Sequence, residues 1–107
     1  MAIKGVPQRA TIAATASGNT AVVAAVSGQV IRVLSGIVTS DSSVNIKFQS
    51  NTSDISGVHY VSSRGGFAID YNPMGLIETA AGEALNINLS AGSVNVGGEI
   101  SYVQGEL

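Results

Sequence analysis

One histidine, His59, and seven carboxylates carry whatever acid–base or metal chemistry this chain has. His59 sits beside Tyr60 in the run Val58-His59-Tyr60-Val61, where it is able to carry one proton or donate one metal bond. A β-sandwich metalloenzyme needs several imidazoles with a carboxylate to hold its ion, and one histidine does not supply them. Asp41, Asp54, Asp70, Glu78, Glu83, Glu99 and Glu106 are spread about one to each turn or strand, without the Asp-x-Asp spacing of a calcium loop. Serines are plentiful, but none lies in a Gly-x-Ser-x-Gly elbow, and a triad would have to recruit the sole histidine. Cysteine is absent, which excludes disulfides and thiolate zinc sites. These residues predict a protein that is not an enzyme and uses no metal or cofactor. Tyr60, Phe67, Tyr71 and Tyr102 offer the other recognisable chemistry, a platform on which sugar rings stack. The same residue types more often close a core or a subunit contact.

The elements that would position these groups read as strands. Leu85, Ile87 and Leu89 alternate with Asn86, Asn88 and Ser90, and Val94, Val96, Ile100 and Tyr102 follow in a second alternating run. Period-two patterning puts one set of side chains on a buried face and the other on a solvated face. Gly97-Gly98 inside the second run predicts a bulge or the close approach of another backbone. Val44, Ile46 and Phe48 alternate cleanly with Asn45, Lys47 and Gln49, and Ile12 and Ala14 form a weaker set. Strands are also expected over residues 20–26, 58–61 and 67–71, and residues 76–80 lead back to the Leu85 run.

Residues 19–35 contain enough alanine to suggest a helix, but Gly18, Gly28, Gly36 and the β-branched residues between them favour two strands. Residues 29–39 carry apolar side chains on both parities, Ile31, Val33 and Ile37 against Val30, Leu34 and Val38. That pattern implies burial on both faces, with Ser35-Gly36 as a candidate bulge. Asn72-Pro73-Met74-Gly75 has the residue order of a type I turn, and Arg64-Gly65-Gly66 reads as a tight turn. Turn signals recur about every 8 to 12 residues, the spacing of an all-β sandwich or barrel. No helix is required.

The 107 residues suffice for one domain with one core. The chain is 45% hydrophobic but only 11% charged, against roughly 25% in ordinary soluble domains, a surface suited to packing against copies of itself or another shell. Lys4, Arg9, Arg32, Lys47 and Arg64 are scattered and the net charge is −2, so the basic stripe of a nucleic-acid binder is missing. No run approaches the roughly 20 apolar residues of a membrane helix. The opening residues lack the apolar core of a secretory signal, and a chain that is not exported by a cleaved signal is expected.

The order of these segments carries a resemblance. It runs from Gly28-Gln29-Val30-Ile31-Arg32-Val33-Leu34-Ser35-Gly36 through Val44-Asn45-Ile46-Lys47-Phe48-Gln49-Ser50 to Tyr71-Asn72-Pro73-Met74-Gly75. It ends on Thr79-Ala80-Ala81-Gly82-Glu83-Ala84-Leu85 and Gly97-Gly98-Glu99-Ile100-Ser101-Tyr102. Over residues 28–103 this resembles the small tumour-necrosis-factor-like jelly-roll proteins of tailed bacteriophages, several of which act as capsid decoration (cement) proteins. The resemblance implies an antiparallel jelly roll of about eight strands over residues 11–107, preceded by an extended arm over residues 1–10.

It further implies a homotrimer, assembled in the host bacterial cytoplasm, that sits on the outer capsid of the virion. There it would bind the major capsid protein and brace it against internal pressure. The arm residues that would grip the shell are Ile3, Lys4, Val6, Pro7 and Arg9; the subunit contact would draw on Val30, Arg32, Leu34, Tyr60, Gly98 and Tyr102. No catalytic residue, membrane or nucleic acid enters this reading. The rival expectation is a carbohydrate- or receptor-binding jelly-roll module of a virion fibre or tail.

Overall fold

The computed structural model describes residues 5–106 of the chain. Ten strands follow one another: β1 (Gln8–Ala14), β2 (Gly18–Val23), β3 (Val30–Ser40), β4 (Val44–Ser50), β5 (Ser53–Asp54), β6 (His59–Val61), β7 (Gly66–Ile69), β8 (Ile77–Glu78), β9 (Leu85–Leu89) and β10 (Val96–Gly105). No helix occurs among the described residues. Two antiparallel sheets pack face to face. One has the order β1-β10-β3-β7, with β8 also paired to β3; the other has the order β2-β9-β4-β5, with β6 also paired to β4. The chain crosses between the sheets repeatedly, so both halves of the sequence share one core.

The alternating runs fill that core as their period demands. Ile46, Phe48, Leu85, Ile87 and Leu89 from one sheet are buried against Ile12, Ile31, Val33, Val38 and Ile100 from the other. Burying a side chain of this size contributes about 1.5–3 kcal/mol. The chain lacks tryptophan, so many medium aliphatic residues share the work.

On β3 the two apolar parities have a geometric explanation. Ser101 faces Ser35 and Tyr102 faces Val33, so Leu34 has no partner on β10. This bulge reverses which parity faces inward: Ile31 and Val33 are inside before it, Val38 and Ser40 after it. Ile37 therefore points outward. Both-face burial still holds for the first half of the strand, where Val30 and Leu34 are 2% and 4% exposed, outside the main cluster. The register shift thus falls beside Ser35, whereas Gly97 and Gly98 remain in regular pairing with β1 and β3.

Side chains close the ends of the sheets. Thr79 Oγ1 accepts the Ile31 N–H at 2.9 Å, in a buried position, while the Thr79 N–H donates to the Ile31 carbonyl. Ser50 Oγ accepts the Ala80 N–H and donates to Glu83, which ties the β8–β9 connection to β4. The proline turn forms as expected: the Gly75 N–H donates to the Asn72 carbonyl at 2.9 Å, and Asn72 Oδ1 accepts the Met74 N–H. The short β5 has only loop composition in its sequence; it pairs through Gln49 and Ser50 of β4.

Candidate functional site

His59 faces inward at the edge of its sheet, opposite Ile46. Its ring stacks on Phe67 of the other sheet, with centroids 4.1 Å apart and planes 11° from parallel. Nδ1 lies 3.3 Å from the Ile46 carbonyl. The stack closes the sandwich where β6 meets β7, and stacked aromatic pairs contribute about 0.5–1.5 kcal/mol beyond their buried area. Among the described residues, no three His, Asp or Glu side chains converge as metal ligands would.

The two outer faces differ in chemistry. Residues directly opposite one another in a sheet share a face. On the β1-β10-β3-β7 sheet, Thr11, Glu99, Ile37 and Ala68 form one outward row, flanked by Ala13, Gly97, Thr39 and Gly66 on one side and Arg9, Ser101 and Ser35 on the other. Most are small. Ile37, 49% exposed, is the single large apolar group, and the Arg9–Glu99 ion pair at 3.1 Å cancels the charges. Beside this face, the β7–β8 loop exposes Tyr71, Met74 and Leu76.

The outer face of the other sheet is rich in side-chain amides. Asn19, Asn88 and Lys47 form one row; Ala21, Asn86, Gln49 and Asp54 form the next. Asn88 Nδ2 donates to Asn19 Oδ1 at 2.7 Å, and Asn86 Nδ2 to the Asn51 carbonyl at 2.8 Å. Gln49 Nε2 donates to Asp54 at 2.6 Å, and Lys47 Nζ lies 3.1 Å from the same carboxylate. These bonds hold the Asp54 carboxyl below its ordinary pKa, the Gln49 amide contributing most. At the end of the sandwich, Asp41 accepts both the backbone N–H and the side-chain amide of Asn95, at 2.8 and 2.7 Å. The backbone N–H is the main reason its pKa also lies low.

The residues expected to act at a subunit contact do not share one surface. Val30, Leu34 and Tyr102 are buried within the chain, and the Tyr102 hydroxyl donates to Gln8 Oε1 at 3.0 Å. Within the single chain these three are already covered by its own residues. Arg32 Nε pairs with Glu78 at 2.6 Å, and its side chain lies against Gly75. Gly98 makes its close approach within the chain, to the Ile37 carbonyl of β3. Tyr60 alone of this set is broadly exposed, on the amide-rich face.

Of the expected arm, Ile3 and Lys4 lie outside the described residues. Val6 and Pro7 precede β1 and are exposed, and Gly5 lies beside the Gln104 carbonyl. Gln8, Arg9 and Ala10 are already strand, paired with Tyr102, Ser101 and Ile100, so β1 begins inside the stretch expected to be arm. Ile37, whose parity depends on the bulge, is the exposed residue that period-two patterning on its own misplaces. In comparisons with protein-family models, curated proteins and solved structures, the chain has no match in any of the three.

Proposed function

We propose that this chain is a non-enzymatic bacteriophage virion protein, a homotrimeric capsid decoration (cement) protein that binds and stabilises the outer capsid. The observation that carries the reading is the outer face of the β1-β10-β3-β7 sheet. It is broad, made of small side chains around Ile37, and without net charge. A face made mostly of small side chains admits close approach, a property of a surface that is covered in use. Tyr71, Met74 and Leu76 at its margin give each subunit a second apolar patch distinct from the first. Two different patches that meet head to tail build a closed ring when the rotation between subunits closes, as a three-fold rotation does in a trimer, whereas a two-fold dimer pairs each patch with itself.

The strand pairing supports a jelly roll. The first strand pairs with the last, β2 with β9, β3 with β7 and β8, and β4 with β5 and β6. A long hairpin folded once and then rolled produces this nesting of pairs. With β5–β6 and β7–β8 each taken as one interrupted strand, eight positions result. In this reading the major capsid protein is gripped by the residues ahead of β1, Val6 and Pro7 among them.

Two measurements test the proposal. Sedimentation equilibrium of the purified protein gives a trimer if it is right, and a monomer at micromolar concentration overturns it. A variant lacking residues 1–7 retains β1 intact; it should keep the trimer and lose binding to purified phage capsids. Undiminished capsid binding overturns the role of the arm.

A further inference from the structure

The amide-rich face holds a shallow depression of about 220 Å³, walled by Val58 and Tyr60 and floored by Asn45, Lys47, Asn88 and Ser90. Tyr60 is 80% exposed, more than any other large apolar side chain among the described residues. Neither its hydroxyl nor the Asn45 side-chain amide has a hydrogen-bond partner among the described residues. Asn88 spends its Nδ2 on Asn19, which leaves Oδ1 as an open acceptor. Lys47 is neutralised by Asp54. The depression therefore presents one aromatic face, an amide able to donate and accept, a second acceptor and no net charge.

We propose that this depression binds a neutral hexopyranose, the terminal residue of a glycan. The C–H face of a sugar ring is apolar and stacks on an aromatic side chain, while its hydroxyls both donate and accept, as a planar amide does. Asn45 lies directly across from Tyr60 on the neighbouring strand, so the amide and the ring address the same ligand from adjacent positions. Asn45 is held in place from behind, its N–H donating to Ser90 Oγ and its carbonyl accepting the Ser90 N–H. The cancelled charge of Lys47 and Asp54 favours a neutral sugar over a uronic or sialic acid. The site lies on the sheet opposite the proposed trimer face, so it stands or falls independently of that assembly.

The test is a two-dimensional amide NMR titration of the whole chain with the methyl glycosides of glucose, galactose, mannose and N-acetylglucosamine. A single-residue site predicts a Kd on the order of 1 mM for at least one of them. Saturable shifts should cluster at residues 45–47, 58–60 and 88–90 and include the Asn45 side-chain amide. Tyr60→Ala should abolish them with far-ultraviolet circular dichroism unchanged, and Asn45→Ala should weaken binding by about tenfold. The proposal is overturned if no glycoside gives a saturable shift at roughly ten times that concentration. Shifts that persist in Tyr60→Ala, or that sialic acid alone produces, overturn it equally.

Discussion

Gly98 on β10 lies so close to the Ile37 carbonyl on β3 that a Cβ at this position would overlap the oxygen. Its φ of 145° is one that side-chain-bearing residues rarely adopt. The paired strands pack here at a distance only glycine permits. Gly98→Val should therefore destabilise the single chain by about 2–4 kcal/mol, combining backbone strain and a steric clash. Thermal melting checks this: the loss should be the same at every protein concentration, whereas a subunit contact at Gly98 would give a concentration-dependent loss.

Thr79→Val and Tyr102→Phe separate a buried backbone obligation from a peripheral one. Thr79→Val leaves the Ile31 N–H without its acceptor in the core margin and should cost about 1–3 kcal/mol. Tyr102→Phe removes only a hydroxyl that donates to Gln8, and should cost about 1 kcal/mol or less. Urea denaturation of the two variants should rank them in that order.

Acid should weaken the end of the sandwich that Asp41 fastens to Asn95. The folded-state pKa of Asp41 lies below its ordinary 3.8, chiefly through the Asn95 N–H. The contribution is therefore complete above that ordinary value and disappears as pH falls through the folded pKa. Asp54, held low by Gln49 and Lys47, behaves in the same sense. Melting temperature should hold steady from neutrality to about pH 5 and decline below about pH 4. The gap between wild type and Asp41→Asn should narrow over the same interval; a constant gap would contradict the assignment.

Ile37→Glu tests the proposed assembly face without disturbing the core. Half-exposed and outward, Ile37 should tolerate the change at a cost below about 1 kcal/mol to the chain itself. Buried between subunits next to Glu99, the new carboxylate would be desolvated beside a like charge. The expected result is a monomer by sedimentation with unaltered circular dichroism; an intact trimer would place the contact elsewhere.

Much of the sandwich was legible in the residue order because its pattern is local. Val44, Ile46 and Phe48, and Leu85, Ile87 and Leu89, alternate without interruption, and all six are buried. The turn at Asn72–Gly75 was equally readable, since Asn, Pro and Gly each favour one position of it. Where a short pairing depends on the partner strand, the local pattern is silent: β5 has loop composition and exists through β4.

By itself, then, the sequence determined the fold class, most of the inward-facing side chains and the poverty of charge, because each depends on residue type and period. The tertiary structure decided the rest. The bulge at Leu34 is a mismatch between β3 and β10, so it alone sent Ile37 outward while Val30 and Leu34 were covered. The pairing of β10 with β3 made Gly98 a contact between strands of one chain. The tertiary structure also set Tyr60 beside Asn45, 15 residues away in the chain, through a pairing that no local pattern encodes.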